Sequence, residues 1–228
     1  MNKKIITSKD IANLCGTWPI AVDENIFPSI STYVNLLMRW NKVMNLVGAR
    51  HWQECMDNLI IDSFYLAEFI KTLPLNIDHD FKTLDLGAGA GLPGIVLRML
   101  WQEGSYDLIE VREKRALFLS NVLAQVPLIN TSVFRGRVED YFTQTSSSAD
   151  MIVSRAFMPW EQILNLVIPS SASISTSNNA LKHGGRVLFL TLKPMPTKEL
   201  SNLGWHGEAE YAYNVQGAKR YFWSVYCE

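Results

Sequence analysis

Residues Leu84–Leu97 read LDLGAGAGLPGIVL: a short apolar strand carrying one carboxylate, three alternating glycines, a proline, and apolar residues at helical spacing. A strand that breaks into glycines and restarts as a helix is a nucleotide cradle, because glycine lets the backbone turn tightly and approach a ligand closely. The spacing decides between ligands. Gly87, Gly89 and Gly91 form G-x-G-x-G, whereas the dinucleotide fingerprint G-x-G-x-x-G would need a third glycine where Leu92 stands. A triphosphate loop needs G-K-[ST], and no lysine follows Gly91 or Gly94. Asp85, two residues before Gly87, would repel a pyrophosphate at the mouth of the loop and attract a ligand bearing an amino group and a sulfonium.

Around this stretch the chain divides in two. Residues 1–75 carry helical signals only. Ile30, Val34, Leu37, Trp40 or Asn41, and Met44 recur at three- and four-residue steps, with Ser29 or Ser31 as the expected N-cap. A second helix is expected from Trp52 to Leu73, ending before Pro74, with Leu59, Phe64 (or Ile60), Ala67 and Ile70 buried. From residue 76 the pattern alternates. Strands are expected at Thr83–Leu86, Tyr106–Glu110, Thr131–Phe134, Met151–Ser154, Gly185–Thr191 and Tyr221–Tyr226, with helices at Pro93–Leu100, Lys114–Val126 and Pro159–Ile168. This predicts an α/β fold: a mostly parallel, Rossmann-like sheet with helices on both faces, preceded by an N-terminal helical extension. Ligands then bind beyond the carboxyl ends of the strands. TQTSSSA (143–149) and SSASISTSNN (170–179) read as surface loops.

Composition restricts the function classes. The chain has 228 residues, 48% hydrophobic and 19% charged, enough for a real core, and a formal net charge of −1 that announces no global field for nucleic acid. Cys15, Cys55 and Cys227 are widely separated and odd in number, which predicts reduced thiols. No signal-peptide pattern follows the first lysines and no apolar run reaches membrane length, so a cytoplasmic, non-membrane protein is expected. The four histidines lack partners at three- or four-residue spacing, so no metal site is expected.

The residues after each strand supply the candidate site. Glu110, nineteen residues beyond Gly91, closes the second strand, where a carboxylate accepts hydrogen bonds from two ribose hydroxyls in either a dinucleotide or an S-adenosylmethionine site. Val138 and Glu139, after the third strand, stand where an adenine would lie, although an exposed loop acid is an equal alternative for Glu139. Arg155 directly follows the fourth strand and can reach ligand, base or phosphate, or else form a structural ion pair. Lys193, after the fifth, is the next candidate. Arg112, Lys114 and Arg115, with Arg135 and Arg137, form either a phosphate-contacting patch or a solvated surface among Glu110, Glu113, Glu139 and Asp140. Trp40 and Trp160 are the tryptophans to consider for base stacking.

The D-x-G-x-G-x-G loop resembles that of class I S-adenosylmethionine-dependent methyltransferases, and the whole chain resembles the RsmG (GidB) family, which methylates guanine N7 in the decoding-region loop of bacterial 16S ribosomal RNA. WNKVMNLVGAR (40–50), IIDSF (60–64), the glycine loop with its Leu92-Pro93-Gly94, EKRALFL (113–119), GRVEDY (136–141) and VSRAF (153–157) carry the likeness. The resemblance implies contacts to S-adenosylmethionine at Gly87, Leu92, Val138, Glu139 and Arg155, with Glu110 as the ribose acid. It also implies 16S ribosomal RNA or the small subunit as partner. A monomer is expected. Leu59 stands where the family has histidine, LKP (192–194) replaces its L-K-G, and the 170–179 insert is longer than expected. An NAD-dependent oxidoreductase and a non-catalytic ribosome-binding module are the alternatives. Leu92, Asp85 and the absence of a hydride-chemistry pair disfavour the first. Transfer to an unprotonated ring nitrogen needs positioning but no general base, in keeping with a sequence lacking a triad or paired catalytic carboxylates.

Overall fold

The computed structural model describes residues 5–145, 148–168 and 180–227. The expected 170–179 loop therefore lies outside the described residues. Seven strands form one sheet: β1 (Lys82–Leu86), β2 (Ser105–Glu110), β3 (Thr131–Arg135), β4 (Ala149–Arg155), β5 (Leu181–Thr191), β6 (His206–Val215) and β7 (Ala218–Tyr226), in the order β3-β2-β1-β4-β5-β7-β6. β1 to β5 run parallel, while β7 is antiparallel to β5 and to β6. Strand order reverses between β1 and β4, so the cleft beyond their carboxyl ends is where this architecture seats a ligand.

Side-chain alternation along the strands sorts the core into two layers. Leu84 and Leu86 of β1 face one layer with Ile152, Val187 and Val225, covered by α7 (Val138–Gln144), α8 (Trp160–Val167) and α9 (Thr197–Asn202). Tyr106, Leu108, Met151 and Val153 face the other. There α5 (Gly94–Leu100) and α6 (Glu113–Gln125) are joined by α1 (Ser8–Cys15), α2 (Phe27–Met44) and a helix made of α3 (Trp52–Cys55), a π-helical turn (Met56–Ile60) and α4 (Ile61–Lys71). The N-terminal helices share this layer's core: the Tyr65 and Tyr213 rings lie 4.5 Å apart, those of Phe69 and Phe222 5.8 Å, and those of Tyr33 and Phe118 6.5 Å. Burial of such aromatic faces supplies much of the driving force for docking.

Arg98 of α5 is fully buried, and its guanidinium donates to the carbonyls of Ile129, Glu103 and Gly104, the last two at 2.7 and 2.6 Å. A planar fork of donors meets several carbonyls at once, which stitches α5 to the loops preceding β2 and β3. Burial lowers its pKa from the ordinary arginine value.

Three expectations need correction. α2 begins at Phe27 with Pro28 in its first turn, so neither Ser29 nor Ser31 caps it; the Ser31 hydroxyl instead donates to the Ile6 carbonyl at 2.7 Å. Residues 143–145 and 149 belong mostly to the end of α7 and the start of β4 rather than to a loop. β6 was not anticipated, because HGEAEYAYNV is an edge strand whose side chains are largely exposed; only Tyr213 and Val215 are buried.

Candidate functional site

The glycine loop joins β1 to α5 in left-handed backbone: φ is +71° at Gly87, +58° at Gly89 and +78° at Gly91. A Cβ on Gly87 would collide with the Phe157 ring, and one on Gly91 with Ile95 and Leu119. The loop is pinned from two sides. Gly87 and Ala88 N–H both donate to the Ile109 carbonyl at 3.0 Å, and the Tyr33 hydroxyl of α2 donates to the Ala90 carbonyl at 2.8 Å. Ser63 of α4 adds a bond to the Pro93 carbonyl at 3.3 Å.

Glu110 organises the site. It is 4% exposed at the end of β2, and its two carboxylate oxygens each accept one backbone N–H: Gly89 at 2.9 Å and Arg112 at 2.8 Å. The carboxylate borders a cavity of about 400 Å³ whose walls include Gly87, Ile109, Val138, Glu139 and Phe157. Each oxygen keeps a lone pair beyond its backbone donor, so a vicinal diol can donate one hydroxyl to each. Ile109, Val138 and Phe157 provide apolar surface for a flat base. The cavity therefore fits an adenosine, the first half of S-adenosylmethionine.

Not every predicted site residue meets there. Asp85 does not face the mouth of the loop. Alternation along β1 turns it toward α5, where it is 1% exposed and where a Cβ on Gly94 would strike its carboxylate. Oδ2 has no hydrogen-bond partner among the described residues. Burial pushes its pKa up to about 7, opposed by the Gly94 N–H and reinforced by the nearby Glu110 charge. The expectation that its full negative charge would greet a cationic ligand is thus corrected: it is secluded and only partly ionised near neutrality. Gly91 and Leu92 shape the loop without bordering the cavity.

Arg155 and Lys193 border two adjoining hollows instead. All three hollows meet at Ala156, which follows β4 with φ +49°. Left-handed backbone at a non-glycine residue is strained and is tolerated where the surrounding structure fixes it. Arg155 donates to Asp62 Oδ2 at 3.0 Å and to the Leu59 carbonyl at 3.4 Å. Asp62, buried in α4, also accepts from Arg220 at 2.6 Å and from the Tyr213 hydroxyl at 2.9 Å. One carboxylate thus holds two guanidiniums, leaving a net positive charge in a hollow of about 250 Å³. Burial, and then the charge and hydrogen bond of Asp62, push the Tyr213 hydroxyl well above its ordinary value, while Arg220 and Arg155 act in the opposite direction. Lys193 is exposed beyond β5, beside Trp160 and Trp223, whose indole N–H donates to the Lys193 carbonyl at 3.0 Å. Sequence reasoning missed Asp62; the signal available was a lone acid among the apolar residues of LIIDSF.

A glycine loop after β1, a ribose-type acid after β2 and a 3-2-1-4-5-7-6 sheet with one antiparallel strand define the class I methyltransferase fold. Solved structures agree on the fold. A precorrin-6Y C5,15-methyltransferase from Geobacter metallireducens superposes with TM-score 0.51 at 14% identity, over 72% of this chain and 88% of its own. The M1A22 tRNA methyltransferase of B. subtilis gives 0.50 at 14% identity, over 75% and 68%. The chain belongs to the rRNA small subunit methyltransferase G (GidB) family, whose model matches residues 26–192. It is 43% identical over 220 residues to the ribosomal RNA small subunit methyltransferase G of Nitratidesulfovibrio vulgaris, covering 96% of this chain and 94% of the relative. The enzyme of that name from Lawsonia intracellularis is 42% identical over 219 residues, with the same coverage of 96% and 94%. That of Helicobacter pylori is 37% identical over 163 residues, covering 71% and 80%.

Proposed function

We propose that this protein transfers a methyl group from S-adenosylmethionine to N7 of a guanine in small-subunit ribosomal RNA. The observation that carries the reading is the Glu110 carboxylate, oriented by two backbone N–H groups at the edge of a cavity with an apolar base-sized wall. Bound there, S-adenosylmethionine supplies an electrophilic methyl on a sulfonium. The chain's own task is orientation. Glu110 takes the ribose hydroxyls, Val138 and Phe157 take the faces of the adenine, and the glycine loop admits the remainder without a Cβ in the way. Arg155 and Lys193, in the hollows that meet this cavity at Ala156, are placed to steer the methionine carboxylate or the incoming nucleotide. Guanine N7 presents an in-plane lone pair and no proton, so alignment suffices and no general base is needed. A ribosomal substrate places the enzyme in the cytoplasm.

The test uses purified protein, labelled S-adenosylmethionine and small-subunit RNA from cells that lack the modification. One N7-methylguanosine should form with the wild type and none with Glu110→Ala. Label at another atom, or calorimetry showing NAD bound and S-adenosylmethionine not, would sink the reading.

A further inference from the structure

We infer that a basic track leads away from the cofactor cavity across the N-terminal helices, and that it binds a single-stranded stretch of RNA flanking the modified nucleotide. This deepens the function proposed above and rests on it.

Three concave surfaces adjoin. The cofactor cavity shares Arg112 and Arg115 with a groove of about 980 Å³ between the end of α2 and the start of α6. That groove shares Arg39 with a further hollow of about 330 Å³ under α2, which also holds Lys42 and Arg50. With Lys114 in the groove, six cations line one continuous path. All but Arg115 are exposed, and none of the six has an ion-pair partner among the described residues. The chain as a whole carries −1, so this path is a local asymmetry rather than a reflection of overall charge.

Beyond the cofactor cavity two acids, Asp10 and Glu113, face the six cations, so the groove and the far hollow stay net positive. Asp10 also caps α1, accepting from the Thr7 N–H at 2.9 Å and its hydroxyl at 2.7 Å. Glu113 lies 3.4 Å from Arg135, which is outside the path. Arg39 and Lys42 are one turn apart on α2 and so face the same way. Tryptophans stand among the cations, Trp40 in the groove and Trp52 in the far hollow, and Val43, also in the groove, is 85% exposed. Positive charge tracking a backbone, interleaved with aromatic faces in narrow concave surfaces, suits unpaired nucleotides rather than a rigid duplex. The path also begins at the rim of the cofactor cavity, at Arg112 and Arg115, which a general electrostatic patch need not do.

The discriminating variant is Arg39→Gln/Lys42→Gln/Arg50→Gln, since none of these residues borders the cofactor cavity. Calorimetric binding of S-adenosylmethionine reports that the variant is folded. Methylation of unmodified small-subunit rRNA should show an unchanged kcat at saturating RNA and a KM for RNA raised about tenfold or more near 100 mM salt. The slope of log affinity against log salt, from filter binding between 50 and 200 mM, should be shallower by about 2, three single-strand phosphate contacts at roughly 0.7 each. Wild-type KM and wild-type slope would overturn the inference. So would a loss confined to the assembled subunit and absent on naked RNA, which would assign the track to a ribosomal protein. If the wild type transferred no methyl at all, the function proposed above would fail, while the salt slope would still decide the track.

Discussion

Asp85→Asn separates the secluded carboxylate seen in the structure from the exposed one expected of the loop. Asp85 begins from an ordinary carboxyl value of 3.8 and is raised by burial to about 7 in the fold. Between those values the native state holds a proton that the unfolded chain has released. The stability that Asp85 contributes is therefore complete below about pH 4 and is lost as the pH rises through about 7. About three pK units at 1.36 kcal/mol each make the loss about 4 kcal/mol. Asparagine keeps an acceptor for the Gly94 N–H and cannot ionise, so it escapes the loss. Urea unfolding followed by tryptophan fluorescence at pH 4, 5, 6, 7 and 8 measures both proteins, and other titrating groups cancel in the difference. The variant should gain on the wild type up to about pH 7 and then level off, about 4 kcal/mol ahead at pH 8 relative to pH 4. A difference that is flat, or that falls with pH, would mean the carboxylate is paired and ionised in the fold, and the account of β1 alternation given above would be wrong.

Glu110→Gln should weaken S-adenosylmethionine by about 10- to 100-fold, the worth of hydrogen bonds to a charged acceptor, with the isothermal titration heat as readout. Unfolding in guanidinium should show Asp62→Ala less stable by about 3–5 kcal/mol, because both Arg155 and Arg220 lose their buried counter-charge; Asp62→Ala/Arg220→Met should recover part of that. Arg98→Lys should cost about 2–4 kcal/mol in the same assay, since an ammonium cannot reach the carbonyls of Ile129, Glu103 and Gly104 together. Burial raises the thiols of both Cys15 and Cys55 to about 12, so Ellman's reagent should leave both unreacted at pH 8 until denaturant is added.

What could be read in advance depended on whether the information was local. The β1 loop was legible because glycine at φ > 0 and a strand-to-helix break leave a periodic trace within a dozen residues. β1, β2 and β4 were legible as largely apolar segments that are mostly buried on both faces, whereas the parallel edge strand β3 is only partly buried. Glu110 was found by its distance from the loop together with its place at the end of an expected strand. β6 was not, since an edge strand needs apolar residues on only part of one face. Asp85 was misdirected for a related reason: its place in the chain sets it beside the loop, but its parity on β1 decides which side of the sheet it enters. Arg98 and Asp62 left no periodic trace. Each is explained only by carbonyls or guanidiniums brought from distant parts of the chain.

Asp62 bears most directly on why an extension of helices is fused to the sheet at all. Arg155 ends β4 and Arg220 lies on β7, and with Tyr213 of β6 they all converge on one carboxylate supplied by α4. Within the described residues the sheet offers these arginines no other acid. Without α4, two guanidiniums would stand unpaired at the rim beside the cofactor cavity and repel one another. The same helix reaches the glycine loop through Ser63, while α2 reaches it through Tyr33. The N-terminal helices therefore fix both walls of the cleft, the glycine loop on one side and the Arg155 hollow on the other. α2 and the loop after it carry Arg39, Lys42 and Arg50 of the basic track, and Arg112, Lys114 and Arg115 come from the turn into α6. On the proposed function, orientation of the ligand and approach of the substrate would both depend on these helices, and a shift of α2 or α4 would disturb both together.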